Sequence, residues 1–168
     1  MRRFAGIWLL LLSLATVACV PKDLAFRQDT RLEFLSPDDG SKVALPVLLE
    51  WSMRDFDLRS TANPEGGSFA IFLDQAPVPP GKTLDYVARD DSSCQELPNC
   101  PSAKYLADKG IYETTKTRLL LRKLPDVDRS AKGFERHYAT VILLDSEGRR
   151  IGEIAYGIAF ETPREGEK

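Results

Sequence analysis

Residues 138–162 constrain the fold more than any other stretch, because two β-rich runs there flank a short turn. The run Tyr138–Leu144 is apolar on both alternating faces, which predicts a strand in the middle of a sheet. Asp145 and Gly148 occupy the first and fourth positions of the turn, as a type I turn favours. The second run places four apolar residues on one face: Ile154, Tyr156, Ile158 and Phe160. We therefore expect a hairpin at the centre of an all-β domain.

Shorter runs of the same kind precede the hairpin and are separated by turn-forming residues. Alternating or apolar patterns predict further strands at Arg31–Leu35, Pro46–Ser52, Ser68–Asp74 and Thr117–Arg122, and a short edge strand at Thr83–Ala88. Trp51 lies in an apolar strand, so we expect it in the core together with Phe69, Phe72, Tyr156 and Phe160. These short strands, with no long helix, predict a β-sandwich over residues 31–163, followed by a disordered tail at 164–168.

The connection over residues 76–116 is long for a compact domain. It nevertheless contains features that are typical of ordered structure, among them a candidate helix. Pro101–Gly110 has the length of two helical turns closed by a glycine. Loops longer than about 15 residues are usually functional or disordered. We expect this insertion to be ordered, because it carries several apolar and aromatic side chains.

The N-terminus has the pattern of an export signal. Arg2 and Arg3 precede an apolar core, Phe4–Val17, which ends at the small residue Ala18. A transmembrane helix would need about 20 apolar residues, and the polar sequence that begins after Ala18 ends the run before that length. We therefore predict a signal peptide at residues 1–18.

The junction Leu14–Cys19 resembles the lipobox of bacterial lipoproteins. The resemblance implies cleavage before Cys19, attachment of diacylglycerol to its thiol and acylation of the new amino terminus. Residues 19–30 would then be a lipidated tether that holds the domain to a membrane. Because Val20 is not the aspartate that retains many lipoproteins at the inner membrane, we expect an exported protein of the cell envelope, anchored at the outer membrane and facing the periplasm or the cell surface. Plain cleavage after Ala18 is the alternative.

Cys94 and Cys100 are the two thiols that remain if Cys19 carries lipid, since the chain has three cysteines. An exported protein folds in an oxidising compartment, where two such cysteines form a disulfide. We therefore predict a Cys94–Cys100 bond within the insertion.

Several of the predicted strand residues resemble a fibronectin type III or Ig-like domain. Trp51 lies in the second strand, Leu124 precedes the last long loop, and Tyr138 begins the following strand. The resemblance implies that Trp51 and Leu124 fill the core and that Tyr138 bonds back to the loop before it. It predicts an Ig-like sandwich with a long, disulfide-containing insertion.

Composition and motif content argue against most catalytic and metal chemistry. The formal net charge is −2, so no basic field recruits nucleic acid. His137 is the only histidine, which leaves too few ligands for a zinc site, and we expect it partly exposed at a strand entrance. We predict no catalytic residue, metal site or cofactor, because no nucleophile–base pair is recognisable in the sequence.

The function predicted from these observations is non-catalytic, namely a protein-binding or structural module that contacts another envelope protein. A glycan- or small-molecule-binding sandwich is an alternative, which an exposed aromatic residue on a loop or strand face would favour, and an envelope hydrolase is a second. Three tyrosines of the insertion are candidate binding residues: Tyr86, Tyr105 and Tyr112. The segment around Cys94–Cys100 and Tyr105 is either a recognition surface or a lid over an open sheet edge, and the sequence leaves both interpretations open.

Overall fold

The computed structural model describes residues 29–125 and 133–163, which form a mostly β protein with two sheets. The predicted signal peptide, Cys19, residues 20–28 of the tether and the tail at 164–168 lie outside the described residues. The strands, in chain order, are β1 (Leu32–Ser36), β2 (Ser41–Lys42), β3 (Val47–Met53), β4 (Ser68–Leu73), β5 (Ile111–Thr114), β6 (Arg118–Leu121), β7 (Phe134–Leu144) and β8 (Tyr156–Pro163). The helices are a 3₁₀ helix at Leu84–Ala88, α1 (Ser92–Gln95) and α2 (Ala103–Asp108).

The strands form one three-stranded sheet, in the order β1-β3-β6, and one five-stranded sheet, in the order β2-β8-β7-β4-β5. Neighbouring strands are antiparallel throughout, except that the two-residue strand β2 runs parallel to β8. The sequence analysis did not predict β2 or β5. Both are short strands at a sheet edge, where little burial is needed and the hydrophobic pattern is correspondingly weak.

One apolar core lies between the two sheets, because each sheet turns one face toward the other. From the three-stranded sheet, Val47, Leu49 and Trp51 alternate into this core, and the ring of Trp51 meets Phe69 of the other sheet edge-on with centroids 5.4 Å apart. Trp51 is 1% exposed and Leu124 is also buried, which confirms the core positions predicted for both.

The predicted central hairpin is present as β7 and β8, and β7 lies between β8 and β4 as its two apolar faces require. Val141 and Leu143 face the shared core, whereas Ile142 and Leu144 enter a second apolar cluster on the opposite face. The turn is also confirmed, since the Gly148 N–H donates to the Asp145 carbonyl at 3.1 Å.

The start of the second run was predicted wrongly. β8 begins at Tyr156, and Ile154 is 40% exposed although the alternation assigned it to the core face. Arg150 still bridges Leu144, and the Ile151 N–H donates to the Leu143 carbonyl at 2.8 Å, but residues 152–155 lie outside the ladder, which resumes where Tyr156 pairs with Val141. Ile154 lies in this unpaired stretch, so its alternation with Tyr156 does not place it on the core face.

The predicted edge strand at Thr83–Ala88 is wrong, because Leu84–Ala88 forms a 3₁₀ helix. Leu84 and Ala88, the first and last residues of this helix, are buried. The helix predicted within Pro101–Gly110 is confirmed by α2, after which Gly110 adopts a positive φ of 74°.

Candidate functional site

Residues 78–108, which we call the lid, cover half of the outer face of the five-stranded sheet. Val78, Leu84 and Leu106 pack on the second apolar cluster, in company with sheet residues Ala70, Phe72, Ile111, Ile142 and Leu144. A lid over a sheet edge was one of the two interpretations of this segment that the sequence left open. The lid covers a face instead, because the outward residues of β4 and β7 are apolar and would otherwise meet water.

Two contacts hold the lid in place. The buried guanidinium of Arg150 donates to the Val78 carbonyl at 2.6 Å and to the Glu153 carbonyl at 2.7 Å, which ties the start of the lid to the hairpin. Burial lowers the pKa of Arg150. The predicted Cys94–Cys100 disulfide is confirmed, with 5.3 Å between the two Cα atoms and Cys94 buried. Together these contacts restrain both halves of the lid.

The three tyrosines predicted as binding residues do not form one surface. Tyr86 and Tyr105 belong to the lid and are half-buried against the second cluster, whereas Tyr112 on β5 packs against the shared core on the other side of the sheet. The structure therefore separates Tyr112 from the other two.

The polar groups of Tyr105 are also engaged within the lid. Its hydroxyl donates to the Asp91 carboxylate at 2.7 Å, and the same carboxylate accepts from the Ser93 and Cys94 N–H groups at the start of α1. The Ser93 hydroxyl also donates to this carboxylate, at 2.6 Å, and this bond foremost, followed by that from Tyr105, lowers the pKa of Asp91 to about 2. The contacts of Tyr86 and Tyr105 favour the lid interpretation of this segment.

The other half of the outer face is open and forms a groove, which we take as the candidate site. It has a volume of about 690 Å³ and is lined by Asp74, Gln75, Ala76, Pro77, Arg136, His137, Tyr138, Thr140 and Ala159. The residues 74–77 after β4 form one wall, and β7 and β8 form the floor. Concave sites with a few polar groups among apolar ones are the usual form of ligand pockets.

Tyr138 is the most prominent side chain of this open groove, since it is 52% exposed. Its ring lies over Gly157 of the neighbouring strand, where an added Cβ would overlap the phenol oxygen. Tyr138 pairs with Ala159, so Gly157 is its diagonal neighbour across the strands. The absence of a side chain at Gly157 therefore allows the ring to lie against the sheet.

The fibronectin resemblance implied that Tyr138 bonds back to the loop before β7, and residues 126–132 of that loop lie outside the described residues. The ring of Tyr138 lies on the outer face of the sheet, across Gly157. The alternation along β7 contained this information: Val141 and Leu143 face the core, so Tyr138 faces outward and His137 inward.

His137 is buried, at 1% exposure, and the expectation of a partly exposed histidine is wrong. Its Nδ1 lies 2.8 Å from the Asp74 carboxylate, and its Nε2 lies 3.1 Å from the hydroxyl of Thr162. The ring stacks on Phe160 with centroids 5.6 Å apart. A buried imidazole with both nitrogens in hydrogen-bonding distance of partners satisfies its polar groups.

Asp74 links this buried network to the groove. Its carboxylate accepts the Tyr138 N–H at 2.7 Å, and its own N–H donates to the Tyr138 carbonyl at 2.8 Å. Asp74 has a positive φ of 56°, which an aspartate tolerates better than most residues. The network of Asp74, His137 and Thr162 thus fixes the backbone from which Tyr138 projects.

The order hydroxyl, imidazole, carboxylate in this network is the one found in hydrolytic triads. The sequence analysis found no such set, because Thr162 and Asp74 are far from His137 along the chain. Thr162 is 3% exposed, however, and its hydroxyl points at a buried ring. This arrangement gives a substrate no route to the hydroxyl, so we assign the network a positioning role.

Within residues 29–125 and 133–163, no group of three or more His, Cys, Asp or Glu side chains is arranged to hold a metal ion. Over the same ranges, the structure contains no helix with the length and apolarity needed to span a membrane.

Comparison with known proteins adds no relative. No protein-family model and no curated protein matches the sequence, and no solved structure matches the fold. By its architecture, the chain is a mostly β protein that is built from two sheets and cross-linked by one disulfide.

Proposed function

We propose that this chain is an exported, lipid-anchored protein of the bacterial cell envelope whose Ig-like or fibronectin-III-like domain binds another envelope component through the open groove. The observation that carries the binding proposal is Tyr138, an exposed aromatic ring held against Gly157 on the uncovered half of a sheet whose other half is covered. Exposed aromatic side chains on a rigid support are typical of binding sites.

The strand order supports the Ig-like part of this proposal. Ig-type domains pack strands A, B and E in one sheet against C, F and G in the other. Reading β1, β3 and β6 as A, B and E, and β4, β7 and β8 as C, F and G, reproduces both sheets, with β5 beside β4 as an added C′ strand. The buried Trp51 on β3, the strand read as B, agrees with the fibronectin type III resemblance, in which a Trp fills the core from the second strand.

The anchoring part rests on the N-terminal sequence. The apolar run Phe4–Val17, the small residue before Cys19 and the polar tether after it together support export and lipidation. The disulfide is consistent with an oxidising compartment, where such bonds persist. We propose the outer membrane as the location, on the ground that Val20 is not an aspartate.

The binding proposal is tested by capture from crosslinked envelopes of the source cells. Chains carrying Tyr138→Ala should lose captured material by about tenfold, because the truncation removes a central aromatic anchor. Gly157→Ala should have a similar effect, since the added methyl group displaces the same ring. Ile151→Ala, at another exposed apolar position, is the matched control.

Leu97→Ala tests the alternative recognition surface in the same assay, because Leu97 is 61% exposed within the Cys94–Cys100 loop. Loss of capture in this variant, with full capture by Tyr138→Ala, would transfer the binding role from the groove to the disulfide loop. Circular dichroism of each variant establishes that the fold is retained.

A glycan or another small molecule is the second candidate for the occupant. The exposed Tyr138 favours it, because a sugar ring can stack on an aromatic face while Gln75, Arg136 and Thr140 offer polar groups around it. Treating the captured material with protease or with periodate distinguishes the two candidates. Periodate sensitivity with protease resistance would favour the glycan.

A further inference from the structure

The outer face of the three-stranded sheet carries exposed leucines in adjacent positions. Leu48 of β3 and Leu120 of β6 are registered partners, and they point away from the core because Leu49 and Leu121 point into it. They are 39% and 45% exposed, respectively. Directly opposed side chains on one face of a sheet lie close together, so these two form a continuous apolar surface.

Leu35 extends this surface across the sheet. The pairing of β1 with β3 shifts between Phe34 and Ser36, so Leu35 occupies an irregular position beside Glu50. It is 56% exposed, while Phe34 packs on the core. We call Leu35, Leu48 and Leu120 the leucine face. Contiguous exposed apolar side chains of this kind mark contact surfaces more often than isolated ones do.

The charges around the leucine face are mixed, with an excess of basic groups. Arg118 is the registered partner of Glu50 on the same outer face, and Arg122 and Lys123 follow β6 in exposed positions. Glu33 on β1 is the other exposed acid. Leucines bordered by arginines are typical of protein surfaces that lie in a membrane interface, where the apolar groups enter the acyl boundary and the guanidinium groups remain at the phosphates.

The position of the tether connects this face to a membrane. The described residues begin at Asp29, directly before β1, which is the edge strand of the leucine-face sheet. Nine residues lie between Cys19 and Asp29, and the ten residue steps from one to the other reach at most about 35 Å. A lipid on Cys19 would therefore hold this sheet close to the bilayer surface.

We propose that the leucine face docks onto the phospholipid bilayer to which the chain is anchored. This inference rests on the proposed lipid anchor. The proposed mature chain lacks Arg2 and Arg3, so its formal net charge of −4 (21 basic and 25 acidic side chains) opposes attraction of the whole molecule to anionic lipid, and the apolar contact supplies the main part of the docking. Tethering would strengthen this contact further, because it raises the effective concentration of the domain at the surface.

A second copy of the chain is a less suitable occupant. A stable dimer interface requires about 800 Å² from each partner, and three leucine side chains supply only a fraction of that area. A bilayer has no such requirement once the tether has localised the domain. The open groove lies on the opposite outer face of the molecule, so docking would leave Tyr138 directed away from the lipid.

The test uses the chain from residue 19 onward with Cys19→Ser, which keeps every described residue and carries no lipid. Flotation is measured with vesicles of phosphatidylcholine alone and with added phosphatidylglycerol. We expect measurable flotation with both, stronger with the anionic lipid, and a loss of about tenfold or more in the double variant Leu48→Glu/Leu120→Glu. Leu97→Glu, the same change at an exposed leucine elsewhere, should float like the parent.

Leu35→Glu is a second variant of the leucine face, and its high exposure makes misfolding a poor explanation of any loss. The proposal is overturned if the parent does not float, or if Leu97→Glu lowers flotation as much as the leucine-face variants do. Sedimentation that shows a dimer dissociated by Leu48→Glu/Leu120→Glu would also overturn it, in favour of self-association. Because no lipid is attached in this assay, its failure is distinct from failure of the anchor at Cys19.

Discussion

At the scale of single residues, neighbouring side chains on β7 have opposite roles because successive strand residues face opposite sides. His137 is enclosed by Asp74, Thr162 and Phe160, and Tyr138 is exposed on the groove floor. The two are coupled through Asp74, which contacts the imidazole with one carboxylate oxygen and the Tyr138 N–H with the other. A substitution at Asp74 would therefore disturb the core and the groove together.

Tyr156 provides a pH-dependent test at this scale. Burial foremost, and then the nearby Asp29 carboxylate, raise its pKa to about 12. The unfolded chain releases this proton near pH 10, whereas the folded chain holds it, so the contribution to stability is complete below about pH 10 and is lost as the pH rises toward 12. Between pH 9 and about 11.5, the free energy of unfolding of Tyr156→Phe, measured with denaturant, should decline less than that of the parent. Equal declines would show that the folded protein does not hold this proton.

Trp51 tests the shared core. Trp51→Ala removes a fully buried ring that meets Phe69 edge-on, so we expect a loss of about 3–5 kcal/mol in the free energy of unfolding. Chemical denaturation at neutral pH measures the loss. A value below about 1 kcal/mol would be incompatible with the buried position of the ring.

At the scale of elements, the lid provides the cover that the second apolar face of the five-stranded sheet needs. β7 needs cover on both sides, and the three-stranded sheet supplies it on one side only. The 3₁₀ helix and α2 supply part of it on the other, and the Cys94–Cys100 bond reduces the entropy lost when so irregular a segment becomes ordered. The lid ends short of the groove, which leaves Tyr138 open.

Two leucines of the lid, one buried and one exposed, test whether the lid is a packed cover of the sheet. Leu106 on α2 is buried on the second cluster, and Leu106→Ala should lower the free energy of unfolding by about 2–4 kcal/mol because it leaves a cavity. Leu97 is 61% exposed in the neighbouring loop, and Leu97→Ala should change the free energy of unfolding by less than about 0.5 kcal/mol. Thermal or urea unfolding of the two variants gives the comparison, and equal effects would contradict the assignment of the lid as a packed cover.

At the scale of the whole molecule, three surfaces differ in their position on the two sheets and in their proposed roles. The lid covers one half of the five-stranded sheet, the groove occupies the other half, and the leucine face lies on the opposite side of the shared core. In the proposed arrangement, the tether enters at β1 beside the leucine face, so the anchor and the docking surface belong to the same sheet. The groove would then be presented to the surrounding compartment.

The anchor has its own test. If Cys19 carries lipid, the mature protein should partition into the detergent phase, because several acyl chains hold a protein firmly in a membrane. Cys19→Ala should release it into the aqueous phase. Phase separation of cell extracts followed by immunoblotting measures the distribution, and identical partitioning of the two proteins would disprove lipid attachment.

The sequence alone determined what depends on local pattern. The hairpin turn at Asp145–Gly148, the strands β3 and β4, the burial of Trp51 and the closure of α2 by Gly110 all follow from residue types at short spacing. The disulfide was also predictable, since the proposed export and lipidation of Cys19 leave only two thiols to pair. These features need no information from distant parts of the chain.

Only the tertiary structure decided what depends on distant partners. Ile154 alternates correctly but lies in a stretch outside the ladder, and Leu84–Ala88 becomes a 3₁₀ helix because the sheet beneath it needs an apolar cover. The network of Asp74, His137 and Thr162 joins residues that are 63 and 25 positions apart, and no local pattern predicts it. The groove arises in the same way, since it is the area that the lid leaves uncovered. Packing over such separations selects partners by shape and burial, and these exist only in the folded chain.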